Sequence, residues 1–299
     1  TNDTDSGLQI VTTEQDSIIS FGDTVVAVLS GVTAEASSLN VFIESVDDDF
    51  AVEDRIPVGP NTPTPVTNLT EDDDTSNNRD SETAVSLQGL AGKDTITGSM
   101  FDDTLAGGAG NDDIAGAQGD DVLNGEGGKD ILNGGSGDDV LNGGASSDIL
   151  LDAHGADTLN GGTGGDLLVA LDKSSAYEAD VLNAGAGDDL LFGDSGDTLT
   201  GGSGDNIFLI MIDPTQTDPV IVTDFNLEQD SALFQSKGAA LTLDATLGED
   251  GQSTVFSLDG KAVAIINGLI PTQARGTTVT TTQLPDDFDP FKAIRAAED

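Results

Sequence analysis

A large aliphatic residue recurs at every ninth position along the middle of the chain. From Gly89 to Val169 the sequence divides without a gap into nine ninemers of the form GGxGxDxUx, where U is the aliphatic residue. Five extra residues, Ala170 to Ser174, interrupt the period, and four further units, the third of them one residue short, continue it to Leu209. A short fixed period of this kind indicates a solenoid built from repeated units.

Position 8 of each unit supplies the core of this solenoid. Three strand residues per unit, of which only the middle one points inward, predict two thin facing sheets, with two units completing each turn. The expected fold class is all-β, a parallel β-roll with a flanking β-strand cap and an acidic linker. The predicted core residues are Ile96, Leu105, Ile114, Leu123, Leu132, Leu141, Leu150, Leu159, Leu168, Leu182, Leu191, Leu199 and Phe208.

The outward strand positions, 7 and 9, differ between alternate units and therefore between the two sheets. In one sheet at least half of these positions are polar, and this sheet is expected to face water. In the C-terminal half of the other sheet both positions are apolar, in a ladder of Ile149/Leu151, Leu167/Val169, Leu190/Phe192 and Ile207/Leu209. Soluble proteins rarely leave such a patch bare. We expect a cover, either the chain's own strands within residues 219–269 or, from a neighbouring protomer, the matching strands of residues 17–32.

Composition shifts divide the chain into five segments. Four prolines and the acidic run Glu71 to Asp74 indicate an extended linker before the repeats, and Asp289 before Pro290 is typical of a helix N-terminus. The predicted segments are a small β segment over residues 1–46, an acidic, proline-containing linker over 47–88, the β-roll over 89–209, a C-terminal β cap over 210–285 and a short C-terminal helix over 286–299.

The two flanks of the chain resemble each other. Residues 17–33 align without a gap on residues 254–270, with four identities and a shared apolar pattern, VVAVLSGV against AVAIINGL. This similarity favours a duplicated pair of strands, and the distance between the two copies is then the length of one module. The N-terminal segment is expected to resemble the end of a preceding module.

The charge of the chain excludes several classes of function. With 55 Asp and Glu against 10 Lys and Arg, the net charge is −45, whereas nucleic acids and anionic membranes are bound chiefly through basic residues. No apolar run approaches the length that spans a bilayer, so no membrane insertion is expected.

The composition also argues against common types of catalytic site. The absence of Cys excludes disulfides and thiol catalysis, and a single histidine, His154, argues against a zinc protease or a serine triad. We expect no catalytic residues and no enzyme activity, and multivalent cations as partners.

Position 6 supplies a carboxylate in twelve units, and repeats of this form are typical of calcium-binding parallel β-helices. Every second unit stacks on the same edge, so Asp pairs such as Asp112 and Asp130 face a common gap. Two carboxylates with turn carbonyls make an oxygen-only site suited to calcium. The predicted carboxylate ligands are Asp94, Asp103, Asp112, Asp121, Asp130, Asp139, Asp148, Asp157, Asp166, Asp180, Asp189 and Asp197. The predicted carbonyl ligands, at turn positions 1 and 3, are Gly107, Ala109, Gly116, Gln118, Gly125, Gly127, Gly134, Ser136, Gly161 and Thr163.

The array resembles the RTX family, the hemolysin-type calcium-binding repeat proteins exported by type I secretion systems of Gram-negative bacteria. The likeness rests on consecutive units that carry both the glycine-rich turn and the aliphatic position 8, and it continues into DPVIVTDFNLEQDSALF, covering Gly89 to Leu269. It implies a chain that stays expanded in the calcium-poor cytosol and folds outside the cell. Residues 89–209 hold 23 Asp and Glu against 3 Lys, so about ten divalent ions, one per stacked pair of turns, would cancel the net charge of −20.

Several units depart from the family pattern, and calcium sites are expected least at their turns. Phe101 and Ser146 replace position-4 glycines, Asp152 and Ala184 replace position-1 glycines, and the unit that begins at Gly193 is short.

Three functions fit these observations. The first is a secreted, calcium-folded structural protein of the cell surface or extracellular matrix, which the duplicated flank favours because it implies tandem modules. The second is the export and stabilising module of a larger secreted enzyme. The third is a calcium-dependent adhesion module, which the same flank also favours. A mature protein much larger than this chain that carries a catalytic domain would favour the second.

Overall fold

The computed structural model describes residues 66–172, 178–216, 218–237 and 241–269, and outside these ranges only the backbone of six strands. In these parts of the chain every regular element is a β-strand. The helix predicted at residues 286–299 lies outside the described residues. Within them, no helix has the length and apolar character needed to cross a membrane.

A small antiparallel sheet lies near the N-terminus, with its strands in sequence order. Its strands are Leu8–Thr12 (β1), Asp16–Phe21 (β2), Thr24–Ser30 (β3) and Val41–Phe42 (β4).

The described remainder of the chain forms two larger sheets of 13 and 10 strands, called here the long sheet and the short sheet. In spatial order the long sheet contains Thr67–Asn68 (β5), Ser86–Ala91 (β7), Thr104–Ala109 (β9), Val122–Gly127 (β11), Val140–Ala145 (β13), Thr158–Thr163 (β15), Val181–Ala186 (β17), Thr198–Ser203 (β19), Val220–Val222 (β21), Lys261–Asn267 (β25), Ser253–Leu258 (β24), Thr242–Leu247 (β23) and Thr278–Thr280 (β26). The short sheet contains Thr75–Asn77 (β6), Thr95–Thr97 (β8), Asp113–Gln118 (β10), Ile131–Ser136 (β12), Ile149–Asp152 (β14), Leu167–Ala170 (β16), Leu190–Gly193 (β18), Ile207–Ile212 (β20), Ser231–Lys237 (β22) and Thr282–Leu284 (β27).

Alternate repeat units enter alternate sheets, which confirms the predicted parallel β-roll. Ile114 pairs with Leu132 in the short sheet, a step of two repeat units. The irregular units keep the same alternation, because Leu159 pairs with Leu182 across the five-residue insertion and Leu182 with Leu199 across the short unit. The insertion and the deletion therefore leave the strand register intact.

The position-8 side chains form the core of the roll. All thirteen predicted core residues are 0 % exposed, from Ile96 to Phe208. The two sheets therefore face each other across one row of large aliphatic side chains per sheet, and burial of that apolar surface holds the sheets together.

The sheets begin before Gly89, the first residue of the ninemers. Strands β5 and β7 pair in parallel in the long sheet, and β6 pairs with β8 in the short sheet. Strands β5 and β6 and the first half of β7 lie within residues 47–88, the segment that its prolines and acidic residues predict to be a linker. Residues 67–88 thus belong to the rolled sheets, although their sequence lacks the nine-residue pattern.

The strands that follow the repeats prolong the roll. Strand β21 pairs in parallel with β19, β25 pairs in parallel with β21, and β24 and β23 add antiparallel strands beyond it. Strand β22 extends the short sheet beside β20. Inward aromatic rings join the two extensions, with ring centroids 4.6 Å apart for Phe234 and Phe256. These strands therefore continue the core edge to edge, and the cover expected from residues 219–269 is not the structure they form.

The outer faces of the two sheets differ as the outward positions predict. On the short sheet Leu167 and Val169 are 0 % exposed, and all of β14, β16 and β18 is buried. On the long sheet the outward positions are mostly half-buried, and asparagines bond along the face, with Nδ2 of Asn160 donating to Oδ1 of Asn142 at 2.9 Å. The apolar ladder of the short sheet is therefore covered, whereas the asparagine face remains accessible to water.

Candidate metal centres

The turns between the sheets lie along two edges, and each turn ends in a buried Asp at position 6. Edge 1, where the chain enters the long sheet, carries Asp103, Asp121, Asp139, Asp157, Asp180 and Asp197. Edge 2, where the chain enters the short sheet, carries Asp94, Asp112, Asp130, Asp148, Asp166 and Asp189. All twelve predicted carboxylates are 3 % exposed or less, and the fold therefore collects them in two stacked rows.

One oxygen of each carboxylate is used to stack the turns. Oδ1 of Asp121 accepts a hydrogen bond of 2.7 Å from the backbone N–H of Asp103, and Oδ1 of Asp139 accepts one from the N–H of Asp121. The same bond repeats along both edges, at 2.7 to 3.0 Å between successive Asp residues. The side-chain oxygens thus satisfy backbone donors that the turns would otherwise leave unpaired.

The second oxygen of most of these carboxylates has no hydrogen-bond partner although it is buried. An unpaired buried carboxylate oxygen is costly unless a cation or a donor reaches it. The unpartnered atoms in these two rows are Oδ2 of Asp94, Asp112, Asp121, Asp130, Asp139, Asp148, Asp166 and Asp189.

The glycine at position 1 of the regular turns leaves room beside this free oxygen. A Cβ atom on Gly125 would lie 2.5 Å from Oδ2 of Asp130 and 2.6 Å from the carbonyl oxygen of Gly143. On Gly161 it would lie 2.5 Å from Oδ2 of Asp166 and 2.6 Å from the carbonyl of Ala184. The gap thus brings together a carboxylate oxygen and the position-1 carbonyl of the next turn, which is a donor set that suits calcium.

The predicted carbonyl ligands fall into two groups. Carbonyl oxygens at position 1 lie beside the gaps, namely those of Gly107, Gly116, Gly134 and Gly161. Carbonyl oxygens at position 3 accept hydrogen bonds from the preceding turn: Ala109 from Gly92, Gly127 from Gly110 and Ser136 from Gly119, at 2.8 to 3.0 Å. The position-1 oxygens therefore face the gaps, whereas these position-3 oxygens pair with backbone donors. Gly125, Gln118 and Thr163 occupy the equivalent positions of their own turns.

Burial raises the pKa of carboxylates in both rows. Desolvation is the largest cause, and neighbouring carboxylates add to it, so that the pKa of Asp121 rises to about 9 and that of Asp148 to about 8. On the same grounds the pKa of Asp130 rises to about 6. Without a cation, carboxylates such as Asp121 and Asp148 therefore hold protons in the folded roll at neutral pH, and a divalent ion can replace those protons.

Two of the predicted carboxylates are satisfied within the chain. Both oxygens of Asp103 accept hydrogen bonds from Ser99, and both oxygens of Asp197 accept backbone N–H bonds, from Asp180 and Asp194. Asp103 follows the turn with Phe101, and Asp197 lies in the short unit. The irregular turns thus supply internal donors where the regular ones leave an oxygen free.

Three further buried carboxylates lie on edge 1, at Asp152, Asp172 and Asp194. Ligand oxygens of Asp139, Asp152 and Asp157 lie within 4.8 Å of one another. The sequence pattern did not predict Asp152 as a ligand, since it stands where the repeat has glycine. The signal that marks it is a carboxylate at position 1, the turn position that faces the gap.

Comparison with known proteins bears on the same residues. The family model of the RTX calcium-binding nonapeptide repeat matches overlapping segments that together cover residues 88–168 and 177–209. No curated protein matches the chain. The matched segments contain all twelve position-6 carboxylates of the two edges, and the residues of both edges fit the calcium that this repeat binds.

Proposed function

Residues 88–168 and 177–209 are RTX repeats and bind calcium, and from this premise we propose that the protein is a secreted structural protein of the cell surface or extracellular matrix. In this role it folds when it meets calcium after export. The single observation that carries the proposal is the set of unpartnered Oδ2 atoms, six on edge 2 and three on edge 1. At neutral pH such a fold gains its stability when cations fill the gaps beside these oxygens.

The difference in calcium concentration across the cell envelope makes calcium binding a switch for folding. In the cytosol the repeats carry a large negative charge that few Lys side chains offset. Repulsion between the carboxylates therefore keeps the chain expanded and suited to export. Outside the cell, millimolar calcium binds the folded form alone and adds its binding free energy to the stability of the fold.

A duplicated hairpin supports assembly from tandem modules. Under the gap-free alignment of the two flanks, strands β2 and β3 coincide end to end with β24 and β25. The pairing register coincides as well: Asp16 pairs with Ser30 as Ser253 pairs with Asn267, and each hairpin has its irregularity at the same place. Since β24 and β25 prolong one roll, the N-terminal hairpin is suited to the same role in an adjoining module.

We assign no catalytic role to these carboxylates, because they repeat in equivalent turns and serve the same stacking and ion-binding purpose. The principal alternative is a stabilising and export module of a larger secreted enzyme, and a calcium-dependent adhesion module is the second. The intact mass of the mature protein distinguishes the first alternative, and a glycan-binding assay with and without calcium distinguishes the second.

Folding and location test the proposal separately. The chain is freed of calcium and titrated from micromolar to millimolar calcium while β-structure is followed by circular dichroism, and we expect unfolded chain without the ion and β-structure with it. A spectrum that does not change with calcium would refute calcium-linked folding. The source cells are then fractionated with and without a chelator wash. Recovery of the protein only from the cytosol would refute the surface role.

A further inference from the structure

The last residue of β14, where the chain leaves the short sheet, is a carboxylate where the regular repeat has glycine. Asp152 occupies position 1 of its unit, and it is 1 % exposed. Its Oδ1 accepts a hydrogen bond of 2.7 Å from the backbone N–H of Ala153, which fixes the side chain in the turn. Its Oδ2 has no hydrogen-bond partner.

This free oxygen points into a gap of the same kind as those along both edges. A Cβ atom on Gly134 would collide with Oδ2 of Asp152 and with Oδ2 of Asp139. In the regular gap at Gly125, the corresponding neighbours are Oδ2 of Asp130 and the carbonyl oxygen of Gly143. At Gly134, therefore, a carboxylate oxygen lies where the regular gap has a neutral carbonyl oxygen.

The backbone around this gap keeps the regular stacking. The N–H of Asp139 still donates to Oδ1 of Asp157, at 2.8 Å, and the carbonyl oxygen of Asp152 accepts a bond from the N–H of Leu171 at 3.4 Å. The extra carboxylate is thus added to a regular edge without displacing the Asp ladder.

We propose that Asp139, Asp152 and Asp157 hold one calcium ion between three carboxylates, and that this site binds calcium more tightly than the regular gaps do. The inference rests on the proposed calcium-dependent folding and adds to it an order of filling: this site is the first to fill and the last to empty. A nucleus for folding then lies in the middle of edge 1.

The higher calcium affinity of this site follows from its number of charged ligands. Calcium affinity in proteins rises with the number of charged ligands and with the rigidity of the site, and this gap gains one buried negative charge over its neighbours. Three buried carboxylates without an ion repel one another strongly, so the gain on binding is also larger. We expect the affinity of this site to exceed that of the regular sites by about tenfold or more.

The test counts bound calcium at fixed free calcium. The full chain is dialysed against a series of chelator buffers, and bound calcium is measured by elemental analysis. We expect one ion per chain to remain at a free calcium concentration about tenfold below the midpoint of the other sites. In Asp152→Gly, which restores the glycine of the regular unit, this ion should leave together with the others. Asp113→Asn changes an exposed Asp on β10 and serves as the control.

A single class of sites in the wild type, or a tight ion that remains in Asp152→Gly, would overturn the proposal. If the glycine variant does not fold in saturating calcium, Asp152→Asn replaces it in the test, because it keeps the shape of the side chain. The tight ion should be lost from Asp152→Asn as well, and its retention would overturn the proposal. The wild-type curve also distinguishes this inference from the proposed function. One uniform class of bound calcium contradicts the inference alone, whereas no bound calcium at millimolar concentration contradicts both.

Discussion

The backbone N–H of Asp112 donates a hydrogen bond of 2.8 Å to Oδ1 of Asp130, one turn further along edge 2, and Oδ2 of Asp130 has no partner. The two oxygens of one carboxylate therefore have different roles. The first connects neighbouring turns and fixes the orientation of the side chain, and the second faces the gap beside Gly125. Stacking of the turns and formation of the ion site are thus one structural event.

Removal of a regular carboxylate should weaken calcium binding more than removal of one that the chain already satisfies. We expect Asp130→Ala to lower calcium affinity by about tenfold, because its free oxygen lies in a gap. Asp197→Ala should have a smaller effect on affinity, because both oxygens of Asp197 accept backbone N–H bonds. Calcium titration followed by calorimetry measures both variants, and equal losses of affinity would contradict the role of the free oxygen.

The position-1 glycines should be required for space. Gly125→Ala places a methyl group 2.5 Å from Oδ2 of Asp130, so we expect it to block the gap and to raise the calcium needed for folding. Gly127→Ala is the matched control, because its Cβ would meet only the carbonyl oxygen of Gly108, at 3.9 Å. Circular dichroism during a calcium titration compares the two midpoints, and indistinguishable midpoints would show that the gap is not used.

Acid should favour the folded roll when calcium is absent. An Asp whose pKa is higher in the folded than in the unfolded chain takes up a proton on folding, so the fold gains stability at low pH and loses it as the pH rises through the folded pKa. The folded values of about 6 for Asp130 and about 9 for Asp121 give a window from about pH 4 to pH 9.

In calcium-free solution we therefore expect more β-structure at pH 5 than at pH 8 by circular dichroism. With calcium present the order reverses, because protons compete with the ion for the same oxygens and calcium affinity falls as the pH falls. A calcium-free chain with more β-structure at pH 8 than at pH 5 would contradict the raised pKa values.

The covered face of the short sheet should tolerate polar substitution poorly. Leu167 is 0 % exposed, whereas Val181, at an outward position of the long sheet, is 38 % exposed. We expect Leu167→Asn to cost about 3 kcal/mol, because it buries an amide and removes apolar contacts, and Val181→Asn to cost less than about 1 kcal/mol. Thermal unfolding in saturating calcium compares them. A similar loss of stability in both variants would mean that the two faces are equally exposed.

The period of the sequence predicted the regular part of the roll. Each strand pairs with the strands two repeat units before and after it, so a pattern that repeats at every ninth position specifies the partners of every strand. Position 8 predicted the core and position 6 the two carboxylate rows, because in a solenoid the same position in successive units has the same surroundings. The insertion after Val169 did not disturb this prediction, since Leu159 still pairs with Leu182 across it.

Features that the nine-residue period does not specify became clear only from the tertiary structure. The prolines and acidic residues of segment 47–88 predicted a linker, but its last strands pair with the first turns of the roll. Glycine recurs at positions 1, 2 and 4 of the repeat, and the structure shows that these glycines are needed for two different reasons. In the structure Gly108 and Gly110 have positive φ, whereas Gly125 is needed because a carboxylate and a carbonyl fill the space of a Cβ.

Asp152 shows most clearly which features the sequence determines and which depend on the tertiary structure. By itself the sequence determines that this residue breaks the repeat, and from that we expected a poorer calcium site. Only the tertiary structure decides that its side chain meets Asp139 and Asp157 in one gap. The physical reason is that a repeat specifies which turns are neighbours, whereas the direction of a side chain at an irregular position depends on backbone donors and on space supplied by the adjacent turn.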